Sequence, residues 1–137
     1  LDHKSGARHA LLACSRTAIL GVDVEEKRPM KDREGIVNQF FSHREQKQWA
    51  GLVDDQKDEA FLIAWTRKEA YVKALGLGLS LDLDSFSVSF DENEETLQFA
   101  DEKQENWRLI SFQPTSLHRA CVALPDAGLK LTFLQLA

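Results

Sequence analysis

The chain has 137 residues, 43% of them apolar and 28% charged, with a net charge of −5. That composition belongs to one folded domain with a modest core, and it excludes collagen, coiled-coil and disulfide-scaffold architectures. No apolar run approaches the roughly 20 residues of a membrane-crossing helix, the first residues show no secretory pattern, and the acidic balance argues against broad nucleic-acid binding. The two cysteines, Cys14 and Cys121, sit among apolar neighbours and fit a reducing, cytoplasmic setting.

In chain order, residues 10–14 read as a first strand and 19–24 as a second, and the two are expected to pair as a hairpin. Ile36, Val37 and Phe40 stand at helical spacing. Ser42 precedes Glu45 by three residues, which is the signature of a capping box opening a short helix through Trp49. A polar stretch, 54–58, leads to a long helix expected over 58–75, with Phe61, Trp65, Val72 and Leu75 on one face and Gly76 as its stop. The period then changes to two. Strands are expected at 86–90, 96–99, 107–110, 120–124 and 131–134, and the acidic run 91–95 reads as a solvated loop. The order predicts an α+β fold: a hairpin, helices, and an antiparallel meander against which the long helix packs.

Some residues resist a purely structural reading. Asp23 and Glu25 are two apart at a strand end, so both side chains share one face. They read either as an exposed strand end or as paired carboxylates around a cation. Gly21, just before them, permits a close backbone approach or a bulge. On the long helix Lys68 falls within the apolar stripe, Glu69 lies at its edge and Lys73 one turn further on. Lys68 reads as a snorkelling lysine or a phosphate contact, and Glu69 with Lys73 as a surface ion pair or part of a site. Together, Asp23, Glu25 and Glu69 offer three hard oxygen ligands suited to Mg²⁺, with Lys68 and Lys73 to neutralise phosphate. That set suits chemistry at a diphosphate. Glu45 is the candidate base as well as the capping residue. The histidines show no zinc spacing, and Gly76-Leu77-Gly78 lacks the ending of a phosphate-binding loop.

Gly21-Val22-Asp23-Val24-Glu25, Phe41-Ser42-His43-Arg44-Glu45, Trp65-Thr66-Arg67-Lys68-Glu69-Ala70-Tyr71-Val72-Lys73-Ala74 and Gly76-Leu77-Gly78-Leu79, in that order, resemble the 4′-phosphopantetheinyl transferase superfamily. The tryptophan before Lys-Glu and the tail 79–86 are more similar to the Sfp-type branch than to the smaller AcpS-type. The resemblance spans about residues 1 to 90. It implies transfer of 4′-phosphopantetheine from coenzyme A to a serine of an apo acyl or peptidyl carrier protein, dependent on Mg²⁺ and releasing 3′,5′-ADP. It further implies that Asp23, Glu25 and Glu69 hold Mg²⁺, that Lys73 and Lys68 contact phosphate, that Glu45 helps deprotonate the serine, and that His3 meets the 3′-phosphate of coenzyme A. Catalysis is thereby carried to Glu45, Lys73 and Glu69.

The sequence departs from the family in two places. Asp2 stands where the family has serine before its histidine, and an acid there would repel a 3′-phosphate. Sfp-type enzymes also hold two similar halves in one chain, whereas residues 1–137 read as a single domain resembling the second half. The missing first half is expected to be supplied by self-association, or to belong to a longer parent chain. Two other functions fit the same acids. One is an inactive half-domain that binds coenzyme A and Mg²⁺ without turnover. The other is a Mg²⁺-dependent phosphohydrolase.

Overall fold

The computed structural model describes residues 20–29, 31–76, 81–99, 102–104, 106–126 and 131–134. Strand β1 (Gly21–Glu26) is followed by helices α1 (Arg33–Phe40), α2 (His43–Ala50) and α3 (Asp54–Leu75). A short 3-10 turn (Leu83–Ser85) leads into β2 (Phe86–Val88), β3 (Leu97–Phe99), β4 (Glu102–Gln104), β5 (Trp107–Phe112) and β6 (His118–Pro125). The α+β class agrees with the sequence. Among the described residues, however, the strands form two three-stranded antiparallel sheets, ordered β1-β6-β5 and β2-β3-β4, where one meander was expected. Alternating apolarity marks a strand but does not name its partner. β1 pairs with β6 near the end of the fold, setting Asp23 opposite Cys121 and Glu25 opposite Arg119. The expected strand at 10–14 and its hairpin lie outside the described residues, as do Cys14, His3 and Gly78. Residues 131–134 are irregular rather than a strand, and Phe133 sits against Phe112 at 4.7 Å between ring centroids.

α3 starts at Asp54, four residues earlier than its apolar period indicates. Its polar first turn is held by charges. Asp54 and Asp55 favour the positive end of the helix dipole. Arg33 pairs with Asp58, and Lys57 donates to Glu34 at 3.2 Å. The Trp49 indole N–H also donates to Glu34, at 2.7 Å, and this bond above all holds that carboxyl below its ordinary range. Gly76 ends the helix in the left-handed conformation, φ 66°, where its missing Cβ removes the strain. No helix among the described residues is long and apolar enough to cross a membrane.

The core gathers around α3. Phe61 stacks between Phe41 and Trp65 at centroid distances of 5.8 and 5.9 Å. Tyr71 meets Phe86 and Trp107 edge-on, each at 5.0 Å. Arg67 is buried too, and it reaches the acidic loop. Its guanidinium donates to the carbonyls of Ser89, Asp91 and Glu92 at 2.9–3.1 Å, and to the Ser111 hydroxyl at 2.9 Å. The acidic run is solvated only in its side chains; its backbone is fastened to the core.

The capping box at Ser42 is formed. The Ser42 hydroxyl accepts from the Glu45 N–H at 3.2 Å, and Glu45 Oε1 accepts from the Ser42 N–H at 2.8 Å. The same hydroxyl meets that of Ser87 at 2.6 Å, tying α2 to β2. Ser42→Ala is therefore expected to lose about 1–2 kcal/mol of stability, the upper part of the range for a cap. Urea unfolding measures it, and an unchanged midpoint would show that the cap contributes nothing here.

Candidate functional site

The site forms where β1 crosses α3. The alternation of a strand sends Gly21, Asp23 and Glu25 to one face, the one that meets α3. The two elements approach very closely at Gly21: a Cβ there would lie 1.9 Å from the Ala70 carbonyl oxygen and 2.5 Å from the Ala74 nitrogen. Only glycine allows this crossing. One turn along, the approach brings Lys73 Nζ to 2.8 Å from Asp23 Oδ1. Asp23 is 1% exposed, while the Lys73 side chain keeps 35% of its surface in solvent. An exposed strand end is thus excluded for Asp23. The other oxygen, Oδ2, is buried and has no hydrogen-bond partner among the described residues.

A buried carboxylate with an unmatched oxygen prefers its proton. Burial is the main reason that the Asp23 carboxyl is pushed up to about 7, and the nearby charges of Glu25 and Glu69 push in the same direction. The hydrogen bond from Lys73 and its charge oppose them. Glu25, on the strand, and Glu69, on the helix, are both partly buried and face Asp23 closely enough to be felt electrostatically. The three acids singled out in the sequence are therefore neighbours, with Lys73 beside them. Among the described residues no three acidic, histidine or cysteine side chains converge into a preformed metal cage. Mg²⁺ does not require one. It commonly takes one or two carboxylates and fills its octahedron with water and substrate phosphate. The orphaned Asp23 oxygen fits that demand.

Glu45 and Lys68 are brought together in a different place. Both are 0% exposed. Lys68 Nζ lies 2.9 Å from Glu45 Oε1 and donates to the carbonyls of Leu83 and Phe86 at 2.5 and 2.7 Å. Glu45 Oε2 accepts from the Val88 N–H at 2.7 Å. Burial lowers the Lys68 pKa, and Glu45 counters it. The sequence offered Glu45 as a base as well as a capping residue, and Lys68 as a phosphate-contacting or snorkelling amine; in this structure the capping role is formed and every Lys68 proton is matched inside the protein. His3 lies outside the described residues.

Sequence reasoning missed Arg67 and Arg119. Arg119, 4% exposed on β6, is held by Glu59 and by Glu92, the latter at 2.7 Å, and so fastens β6 to α3 and the acidic loop. Arg67 lies inside the stretch 65–74, where no role was read for it, and Arg119 stands in no motif. Burial on an amphipathic stripe was the one available signal, and α3 is buried on nearly every side between Ala60 and Ala74.

Residues 19–125 match the family model described as the 4′-phosphopantetheinyl transferase superfamily. The chain is 35% identical over 120 residues to the 4′-phosphopantetheinyl transferase HetI of Nostoc sp., covering 87% of this chain and 48% of that protein. It is 35% identical over 89 residues to the 4′-phosphopantetheinyl transferase ffp of Bacillus subtilis, covering 65% and 39%. It is 29% identical over 109 residues to the 4′-phosphopantetheinyl transferase Sfp of Bacillus subtilis (strain 168), covering 78% and 48%. The chain spans about half the length, or less, of these relatives.

Proposed function

This chain belongs to the 4′-phosphopantetheinyl transferase superfamily, and from that premise we propose that it carries the acidic half of an active site for Mg²⁺-dependent transfer of 4′-phosphopantetheine. The donor is coenzyme A, the acceptor a serine of an apo acyl or peptidyl carrier protein, the by-product 3′,5′-ADP, and the setting the cytoplasm. The observation that carries this reading is the buried, unmatched oxygen of Asp23 beside Glu25, Glu69 and Lys73.

Asp23, Glu25 and Glu69 would hold Mg²⁺. Bound there, the ion would supply charge neutralisation for the diphosphate. Lys73 keeps a positive charge beside the same carboxylate, at the partly exposed position where a phosphate oxygen arrives. Glu69, partly buried on that flank, accepts the proton of the carrier serine. His3 meets the 3′-phosphate. The remaining contacts to coenzyme A come from a second copy of the chain or from a further segment, because the relatives are about twice as long as the matched region.

The test is to incubate the chain with coenzyme A, Mg²⁺ and apo carrier proteins, and to weigh the carriers by intact mass. The expected result is a gain of one phosphopantetheine, lost on chelation. Mg²⁺-dependent coenzyme A binding without any gain would favour an inactive half-domain, the reading that the half-length match supports. Nucleotide or phosphate release without a carrier would favour a phosphohydrolase.

A pH dependence follows from Asp23. A cation needs the ionised carboxylate, and a proton competes for it up to about pH 7. Mn²⁺ affinity, measured by calorimetry from pH 5.5 to 8.5, is expected to level off near pH 8 and to fall towards about tenfold per unit below pH 7. A flat profile would remove Asp23 from the ligand set.

A further inference from the structure

The buried pair of Glu45 and Lys68 fits neither substrate binding nor proton transfer, and its connections point elsewhere. A lysine ammonium has three protons, and those of Lys68 are matched by Glu45 Oε1, the Leu83 carbonyl and the Phe86 carbonyl. The ammonium also lies over the rings of Phe86 and Phe41, at 4.2 and 5.6 Å. Glu45 receives the N–H groups of Ser42 and Val88 in addition to Lys68. A general base must come within hydrogen-bond reach of the proton it removes, directly or through one water. A carboxylate with no exposed surface and bonds on both oxygens does not meet that requirement. What the pair does is join α2, α3, the 3-10 turn and β2 at one point. Lys68 immediately precedes Glu69, so the point that fixes Lys68 also fixes the rotation of α3, and with it the side on which Glu69 faces Asp23.

We propose that Glu45 and Lys68 are a positioning pair that orients Glu69 for the metal site, and that neither touches substrate. The role rests on the transferase reading; the pair itself does not. A buried ion pair is costly to break from one side, because the remaining charge has no partner, and far less costly to remove whole.

The test compares Glu45→Gln, Lys68→Met and the double variant in the full chain. Glutamine at 45 keeps a capping box. Each single variant is expected to lower Tm by about 10 °C or more, and the double to regain at least half of that loss. Mn²⁺ affinity, read by electron paramagnetic resonance, is expected to weaken at least about fivefold in each single variant and to stay weakened in the double, which regains stability but not the anchor; full recovery of affinity in the double would overturn the positioning role. Tm losses that simply add would overturn the pairing. Coupled Tm losses with unchanged Mn²⁺ affinity in the single variants would leave a structural pair and overturn the positioning role. Where the parent transfers phosphopantetheine, the acid limb of the kcat/KM profile should keep its position in the double variant, and its disappearance would make Glu45 the base. Absence of transfer in the parent would count against the transferase reading alone, since unfolding and Mn²⁺ binding still decide the pair.

Discussion

Asp23→Asn is expected to cut phosphopantetheine transfer by about 10³-fold or more while leaving the chain folded. The functional loss follows from removing a buried acid whose second oxygen has no partner among the described residues; loss of a charge-stabilising group of this kind costs several kcal/mol in the transition state, and each 1.36 kcal/mol is tenfold in rate. The small structural cost has a separate reason. Asparagine keeps an oxygen that can accept from Lys73, and it avoids the burial of a charge. Lys73, with 35% of its side chain in solvent, needs no buried partner.

The sign of the pH dependence sharpens this prediction. The folded Asp23 carboxyl is raised from 3.8 to about 7, so the native state binds its proton more tightly than the unfolded chain does. The stability that this contributes is fully present below pH 3.8 and is lost as pH rises through about 7. Asp23→Asn removes that dependence. The stability of the variant relative to the parent should therefore rise between pH 5 and pH 8, as urea unfolding at the two pH values would show. A variant that weakened with rising pH would mean that the ionised carboxylate is stabilised in the fold, contrary to its unmatched oxygen.

Gly21→Ala should have the opposite signature, losing fold and site together. The new Cβ would sit 1.9 Å from the Ala70 carbonyl oxygen and 2.9 Å from the Ala74 Cα. Cβ and backbone have no rotamer through which to escape, so β1 and α3 must move apart. Overpacking a well-packed core, where side chains can still shift, costs about 1–3 kcal/mol, and a clash between two backbones should exceed that, reaching about 4 kcal/mol or more. The separation would also break the 2.8 Å contact of Lys73 with Asp23. Urea unfolding together with Mn²⁺ binding reads both losses. A stable variant with intact binding would show that the crossing relaxes, and that its closeness is not what assembles the site.

The legible parts of this fold were those with local chemistry. Ser42 and Glu45 announced a helix start, Gly76 announced a helix end, and both stand as expected. The pairing of β1 with β6 was not legible, because their partners lie almost a hundred residues apart and alternation carries no address. The start of α3 was misplaced because Asp54 and Lys57 are fixed by charges and a helix dipole rather than by apolar period. β4 is three residues long, without an apolar pattern, and was not anticipated. Within the site, the wrong-looking lysine on an apolar stripe was a real signal. What it signalled was a buried partner twenty-three residues upstream, and a sequence shows the oddity without showing the partner. Asp23 illustrates the same limit. Its spacing from Glu25 indicated a shared face, but its burial required Gly21 to admit α3, which a single glycine leaves open.

The most direct test of the account is a Mn²⁺ titration of the chain, followed by electron paramagnetic resonance with and without coenzyme A at pH 8. The predicted result is one Mn²⁺ per chain, displaced by Mg²⁺, bound more tightly when the diphosphate of coenzyme A is present, and lost in Asp23→Asn. No binding at all, or binding of equal strength in Asp23→Asn, would contradict the claim that these acids hold a cation for diphosphate chemistry.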